Sequence, residues 1–214
     1  MPDPIQTPVR RVKPYSGYNS QTPDKLLLDA GAIFFNYVMG TDTFASAKAA
    51  GKCIGATQKG SEFTAKPIYR RTELDGVHTR TIGDTLIDGW EVCLKTTFVE
   101  MTTANIKRAL AVANSTAYDN GVTSGYTKIE GRDTILVSDY LDNITFIGNI
   151  LGEDKPIVIQ VLNAFNENGL GMSFADKSNA GVEVQFYGYN ESDVYDSVDS
   201  ELVPPFAIWR PTES

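Results

Sequence analysis

The sequence is poor in the residues that carry most enzyme chemistry. In 214 residues it holds one histidine, His78, and two cysteines, Cys53 and Cys93. A single histidine rules out a multi-histidine zinc set built from one chain. The cysteines form no C-x-x-C pair and are too few for a disulfide framework, so a reducing cytosol is the expected setting. No G-x-S-x-G elbow occurs, and Gly51-Lys52-Cys53 lacks the upstream glycine and the Ser/Thr of a phosphate-binding loop. A Ser-His-Asp triad would have to use His78, which follows the Asp75-Gly76 turn and reads as a surface residue. No catalytic, cofactor or metal set emerges, and a non-enzymatic role is expected. Basic residues are also short, 19 against 27 acidic ones, for a net charge of −8. That balance disfavours a DNA-reading domain, which relies on Lys and Arg to neutralise phosphates. No apolar run reaches the roughly 18 residues of a membrane helix. The opening MPDPIQTPVRRVKP has no apolar core of the kind a signal peptide carries.

What is present is mostly β patterning. Residues 1–24 contain Pro2, Pro4, Pro8, Pro14 and Pro23, which deny the segment a helix or a central strand. It reads as an extended arm, with Arg10, Arg11, Tyr15 and Tyr18 as candidate docking contacts. Residues 25–214 read as one domain. KLLLDAGAIFFNYVMG predicts a strand with a bulge at Gly31, followed by a polar, Ala-rich connection. GKCIGATQKGSEFTAKPIYRR predicts two strands broken at Gly60. In TLIDGWEVCLKTTFV the alternation is cleanest, with Trp90, Val92, Leu94, Thr96 and Phe98 on one face.

The period then changes. Ile106, Ala109, Leu110 and Ala113 form a helical stripe, with Thr102 as N-cap and Met101 and Ile106 at hydrophobic-staple spacing. This is expected to be the one sizeable helix. A Gly/Ser/Asn-rich connection spans 114–135. YLDNITFIGNI, PIVIQVLNAF, GVEVQFYGY and FAIW then predict further strands. Seven or eight strands and one helix imply a mainly β fold, a β-sandwich or barrel with one packed α-helix. Residues 181–201 carry six acids and no base, which reads as a solvated loop.

Taken in order, three stretches resemble the tail tube (major tail) proteins of long-tailed bacteriophages. They are GATQKGSEFTAKPIYRRTELDGVHTRTIGDTLIDGWEVCLKTTFVEMTTANIKRAL, SDYLDNITFIGNILGEDKPIVIQVLNAFNENGLGMSFADKSNAGVEVQFYGY and PFAIW. The resemblance covers about residues 50–210, through a strand, an Asp-Gly turn, an alternating strand leading into the helix, a YLDN strand and an NAxNxxGL turn. The proline-rich arm and residues 114–135 have no counterpart in it. The resemblance implies homo-hexameric rings stacked into a hollow tube that conducts DNA without reading its sequence. It also implies a virion location after assembly in the host bacterial cytoplasm. Its implied partners are other copies of the chain, a tape-measure protein, and terminator or baseplate proteins. Residues 70–89 match the long loop that reaches an adjacent ring in that family. This makes Arg70, Arg71, Glu73 and Asp75, with His78, Arg80 and Asp84, candidate contact residues. Acidic side chains facing a lumen would let DNA slide without sticking. Two other readings stay open. Tyr15, Tyr18, Tyr37, Tyr187, Tyr189 and Trp209 would suit a carbohydrate-binding face, and a related non-viral injection tube would use a similar fold.

Overall fold

The structure, a computed structural model, describes residues 16–20, 22–73, 75–76, 78–172, 181–192 and 203–212. Arg10, Arg11 and Tyr15 lie outside the described residues, and Tyr18 is exposed. Nine strands run in chain order: β1 (Leu27–Phe35), β2 (Thr57–Arg71), β3 (Thr85–Phe98), β4 (Ala113–Tyr118), β5 (Tyr126–Gly131), β6 (Leu141–Ile150), β7 (Ile157–Asn166), β8 (Val182–Tyr187) and β9 (Phe206–Trp209). Two helices accompany them, α1 (Phe44–Ala49) and α2 (Thr103–Leu110). The fold is mainly β, as the sequence implies.

One large antiparallel sheet has the order β1-β6-β7-β8-β3-β2. Strand β7 makes the bend. Its residues 158–161 pair with β9, while Phe165 and Asn166 pair with β8 on the same edge. The chain ahead of β2 then closes the circuit. Phe35 donates its N–H to Lys52 O at 2.9 Å and Ile54 to Ile33 O at 3.0 Å, while Val99 donates to Ala56 O at 3.2 Å. Residues 52–56 thus bridge from β1 to the end of β3, and the sheet becomes a flattened barrel. Glu100 fastens this bridge by accepting the Ala56 N–H at 2.7 Å. Its carboxyl occupies the space beside Gly55, where a Cβ would lie 2.3 Å from it.

The two halves of the sheet face each other across one apolar core. Phe35 from β1 meets Phe98 from β3 and Phe186 from β8, at centroid distances of 6.2 and 5.9 Å. Val92, Leu94 and Phe98 are each 1% exposed, so the expected inner face of β3 is the buried one. In β7 both faces are covered. Val161 joins the main core, while Val158 joins a second cluster with Phe34, Tyr37, Ala47 and Ile147 under α1. Beside the second cluster, on the same faces of β6 and β7, sits a polar knot. Asn143 accepts the Tyr37 N–H at 3.0 Å and donates to Tyr37 O, and Gln160 donates to both Tyr37 O and Thr145 Oγ1.

Four expectations are corrected. The Ala-rich connection contains α1, too short to show a stripe but started by Thr43 and Ser46, whose side chains cap each other's backbone N–H groups. The described residues therefore hold two α-helices rather than one. The two strands expected around Gly60 are a single strand, β2. Lys59 and Gly60 take left-handed conformations (φ 66° and 77°), and the register jumps from Thr57↔Phe98 to Ser61↔Thr96 without ending the strand. The 114–135 connection holds a two-stranded hairpin, β4–β5, whose tip is turned by Asp119 and Asn120 side chains accepting backbone N–H groups. Among the described residues, nine strands replace seven or eight.

Candidate assembly surface

Strands β2 and β3 outrun the barrel. On the core face their cross-strand pairs are Phe63↔Leu94, Ala65↔Val92 and Pro67↔Trp90. Trp90 packs on Phe206 at 5.5 Å, which marks the last layer of the core. The pairing continues for several more residues, to Arg71↔Thr85. A bulge between Ile68 and Tyr69 absorbs one residue of β3, so Tyr69 faces Ile87. Successive side chains alternate faces. Tyr69 and Ile87 therefore extend the core face of the hairpin past the core, while Ile68 and Leu86 stand on the other side. Tyr69 is 63% exposed and Ile87 56%. At the tip, Ile82 is fully exposed. An apolar face that outruns its own core calls for cover from outside the chain. The outer edge of β2 beyond its bulge also carries no paired strand among the described residues, which leaves backbone donors and acceptors free.

The charged residues expected to reach a neighbour fall into two groups. Arg70 and Arg71 are held within the arm. Arg70 pairs with Asp88 at 3.1 Å, and Arg71 pairs with Asp84 at 3.2 Å while donating to Thr79 O at 2.7 Å. Asp84 is the hub of the tip. It accepts from the Thr81 N–H, from the Thr81 and Thr85 hydroxyls and from Arg71, and its side chain is only 7% exposed. These bonds, the Thr81 backbone N–H first, hold its pKa below the ordinary carboxylate range. Glu73, Asp75, His78 and Arg80 form the second group. They are exposed and make no hydrogen bond or ion pair among the described residues. Ile68, Tyr69, Ile82, Leu86 and Ile87 were not singled out in the sequence. The signal for those on the strands is the adjacent apolar pairs in IYRR and TLIDGW, Ile68-Tyr69 and Leu86-Ile87; the alternation itself breaks at Asp88-Gly89, where the register shifts.

Among the described residues the geometry offers no reactive constellation around His78, which has no carboxylate or hydroxyl partner there. No group of three or more His, Cys, Asp or Glu residues is placed to hold a metal among the described residues. Cys53, in the segment that bridges to Phe34, and Cys93 of β3 are free thiols, and Cys93 accepts from Gln185 Nε2 at 3.3 Å. Three of the aromatic rings considered for a sugar platform are spent on separate contacts, while Tyr18 is exposed and Tyr15 lies outside the described residues. Tyr37 is buried and donates its hydroxyl to Asp42 O, and Trp209 packs against the cluster under α1. Tyr189 contacts Tyr140 and Phe165, and its hydroxyl donates to Glu167. Burial and then that carboxylate raise the Tyr189 pKa.

No protein-family model and no curated protein matches the sequence.

Proposed function

We propose that this chain is a structural subunit that assembles with copies of itself into six-membered rings, stacked as a hollow tube of the kind that forms the tails of long-tailed bacteriophages. The observation that supports this reading is the β2–β3 arm. Its apolar face, Tyr69 and Ile87, is continuous with the core and uncovered, and it stands beside a free strand edge. Both features are liabilities in a monomer and are resolved when a neighbour adds its own surface. A contact between unlike faces that closes makes a ring, and a second such contact stacks rings. Inside such a tube the acidic chain would repel phosphates, so a genome passes without sticking. The candidate partners are the chain itself, a tape-measure protein and end-capping proteins, in a virion tail.

Electron microscopy at rising protein concentration tests the reading. The expected result is rings or tubes on the order of 100 Å across, the width set by six domains of this size. Replacing Tyr69, Ile82 and Ile87 by serine should leave the circular dichroism spectrum and melting of the barrel unchanged and abolish the rings. Rings that persist in the triple variant would remove the arm from the contact. A parent protein that stays monomeric at every concentration would remove self-assembly altogether.

A further inference from the structure

A cavity of about 320 Å³ opens beneath α2, between that helix, the start of β4 and the 137–139 turn. Lys107, Arg108 and Arg132 border it against one carboxylate, Asp139. The spot is cationic on a chain whose net charge is −8. Asp139 is already committed, accepting from Arg132 Nη2 and, at 2.7 Å, from the Leu136 N–H. Arg132 is mostly covered, and its Nε is buried with no acceptor. Arg108 lies 4.2 Å over the Phe35 ring and makes no hydrogen bond or ion pair among the described residues. Burial lowers its pKa. A guanidinium taken out of water without a counter-ion is unfavourable, and a buried donor without an acceptor is too. Two such defects meet at one cavity, and a single anion would correct both.

We propose that this cavity binds a small oxyanion-bearing ligand, a phosphate or a carboxylate, gripped by Arg108 and Arg132 with Lys107 at the rim. The planar fork of a guanidinium matches both kinds of oxyanion in bidentate fashion. The volume lies at the small end of the roughly 300–1,000 Å³ seen for small-molecule sites, so the ligand is a compact molecule rather than a polymer. Asn114 and Ser138 add neutral donors at the border. Asn166, also at the border, spends its amide on Ala109 O and Gly169 O and so fixes the base of α2 instead. The ligand would tie together α2, the root of the β4–β5 hairpin and the 132–139 segment, which otherwise meet through few bonds.

Thermal melting of the whole chain tests this. Inorganic phosphate and succinate are titrated separately against sodium chloride at matched ionic strength. At least one should raise Tm saturably beyond the salt control, and which one does so distinguishes a phosphate from a carboxylate ligand. Arg108→Gln should weaken the apparent affinity tenfold or more. Arg108→Lys keeps the charge and loses the fork; it should weaken binding by a smaller factor and carries the comparison if the glutamine variant does not fold. Lys107→Ala should weaken it modestly. No saturable shift with either anion would overturn the proposal, and so would a shift that both Arg108 variants share undiminished with the parent.

Discussion

Asn143 illustrates how single side chains hold this barrel together. It binds the Tyr37 backbone through both its amide nitrogen and its oxygen, and it also accepts from the Thr145 hydroxyl. Asn143→Ala should therefore orphan buried groups and destabilise the protein by about 1–3 kcal/mol for each group left unpaired, read as a lowered denaturant midpoint. Gly31 is constrained differently. Its φ is +62°, and a Cβ there would stand 2.3 Å from the Phe146 ring and 2.8 Å from Ile147 O. Gly31→Ala should lower Tm by more than the conformational penalty alone, because backbone as well as a ring must move. Residue-level legibility in the sequence followed the range of the interaction. Thr102 was readable as a cap because its partner, the Asn105 N–H, lies three residues on. The role of Asn105 was not readable. Its side chain is buried and donates to Ile54 O at 2.8 Å, and nothing local marks a partner 51 positions away.

At the scale of elements, the tip of the arm is organised by one carboxylate, Asp84. A depressed Asp84 pKa means that its contribution is complete above the ordinary carboxylate range and is lost as pH falls below that range, when the folded form takes up its proton. The protection factor of the Thr81 amide, whose N–H Asp84 accepts, should therefore fall as pH drops below the ordinary carboxylate range of about 4. Asp84→Asn should produce the same loss of protection at neutral pH. Arg70→Glu with Arg71→Glu should leave the barrel melting unchanged, since the Arg70 pair is exposed and such pairs are worth little. It should loosen the tip, where Arg71 binds both Asp84 and Thr79. Long, half-buried strands such as β3, and the stripe of α2 as far as Leu110, were legible because burial imposes a period on the sequence; Ala113, expected in the stripe, instead opens β4, because Ala111 turns the chain at φ 59°. The β4–β5 hairpin was not. Nearly all its side chains are exposed, so no alternation was required of them. The β2 bulge was misread as a break because Gly60 marks a left-handed residue, which suits a turn and a bulge equally.

For the whole molecule, the mainly β class followed from strand number and the scarcity of helical stripes. The closure did not, because it rests on backbone bonds from residues 52–56 that carry no side-chain pattern. Subunits of net charge −8 repel one another at long range, while the arm contacts proposed above are apolar. Ring formation should therefore increase when salt is raised from about 0.01 to 0.15 M, as the Debye length falls from about 30 to 8 Å. Light scattering across that range is the check, and assembly that falls with salt would point to charge pairing instead.

The shared edge of β7 also sets an order of events in time. Residues 158–161 of β7 wait for Phe206–Trp209, the last in chain order of the described strands. While a ribosome is still adding those residues, this stretch of the sheet lies open to any passing strand. A nascent chain thus carries one open sheet edge more than a finished one, in which β9 covers residues 158–161. Synthesis itself would act as the timer that decides when a subunit is safe to meet its neighbours.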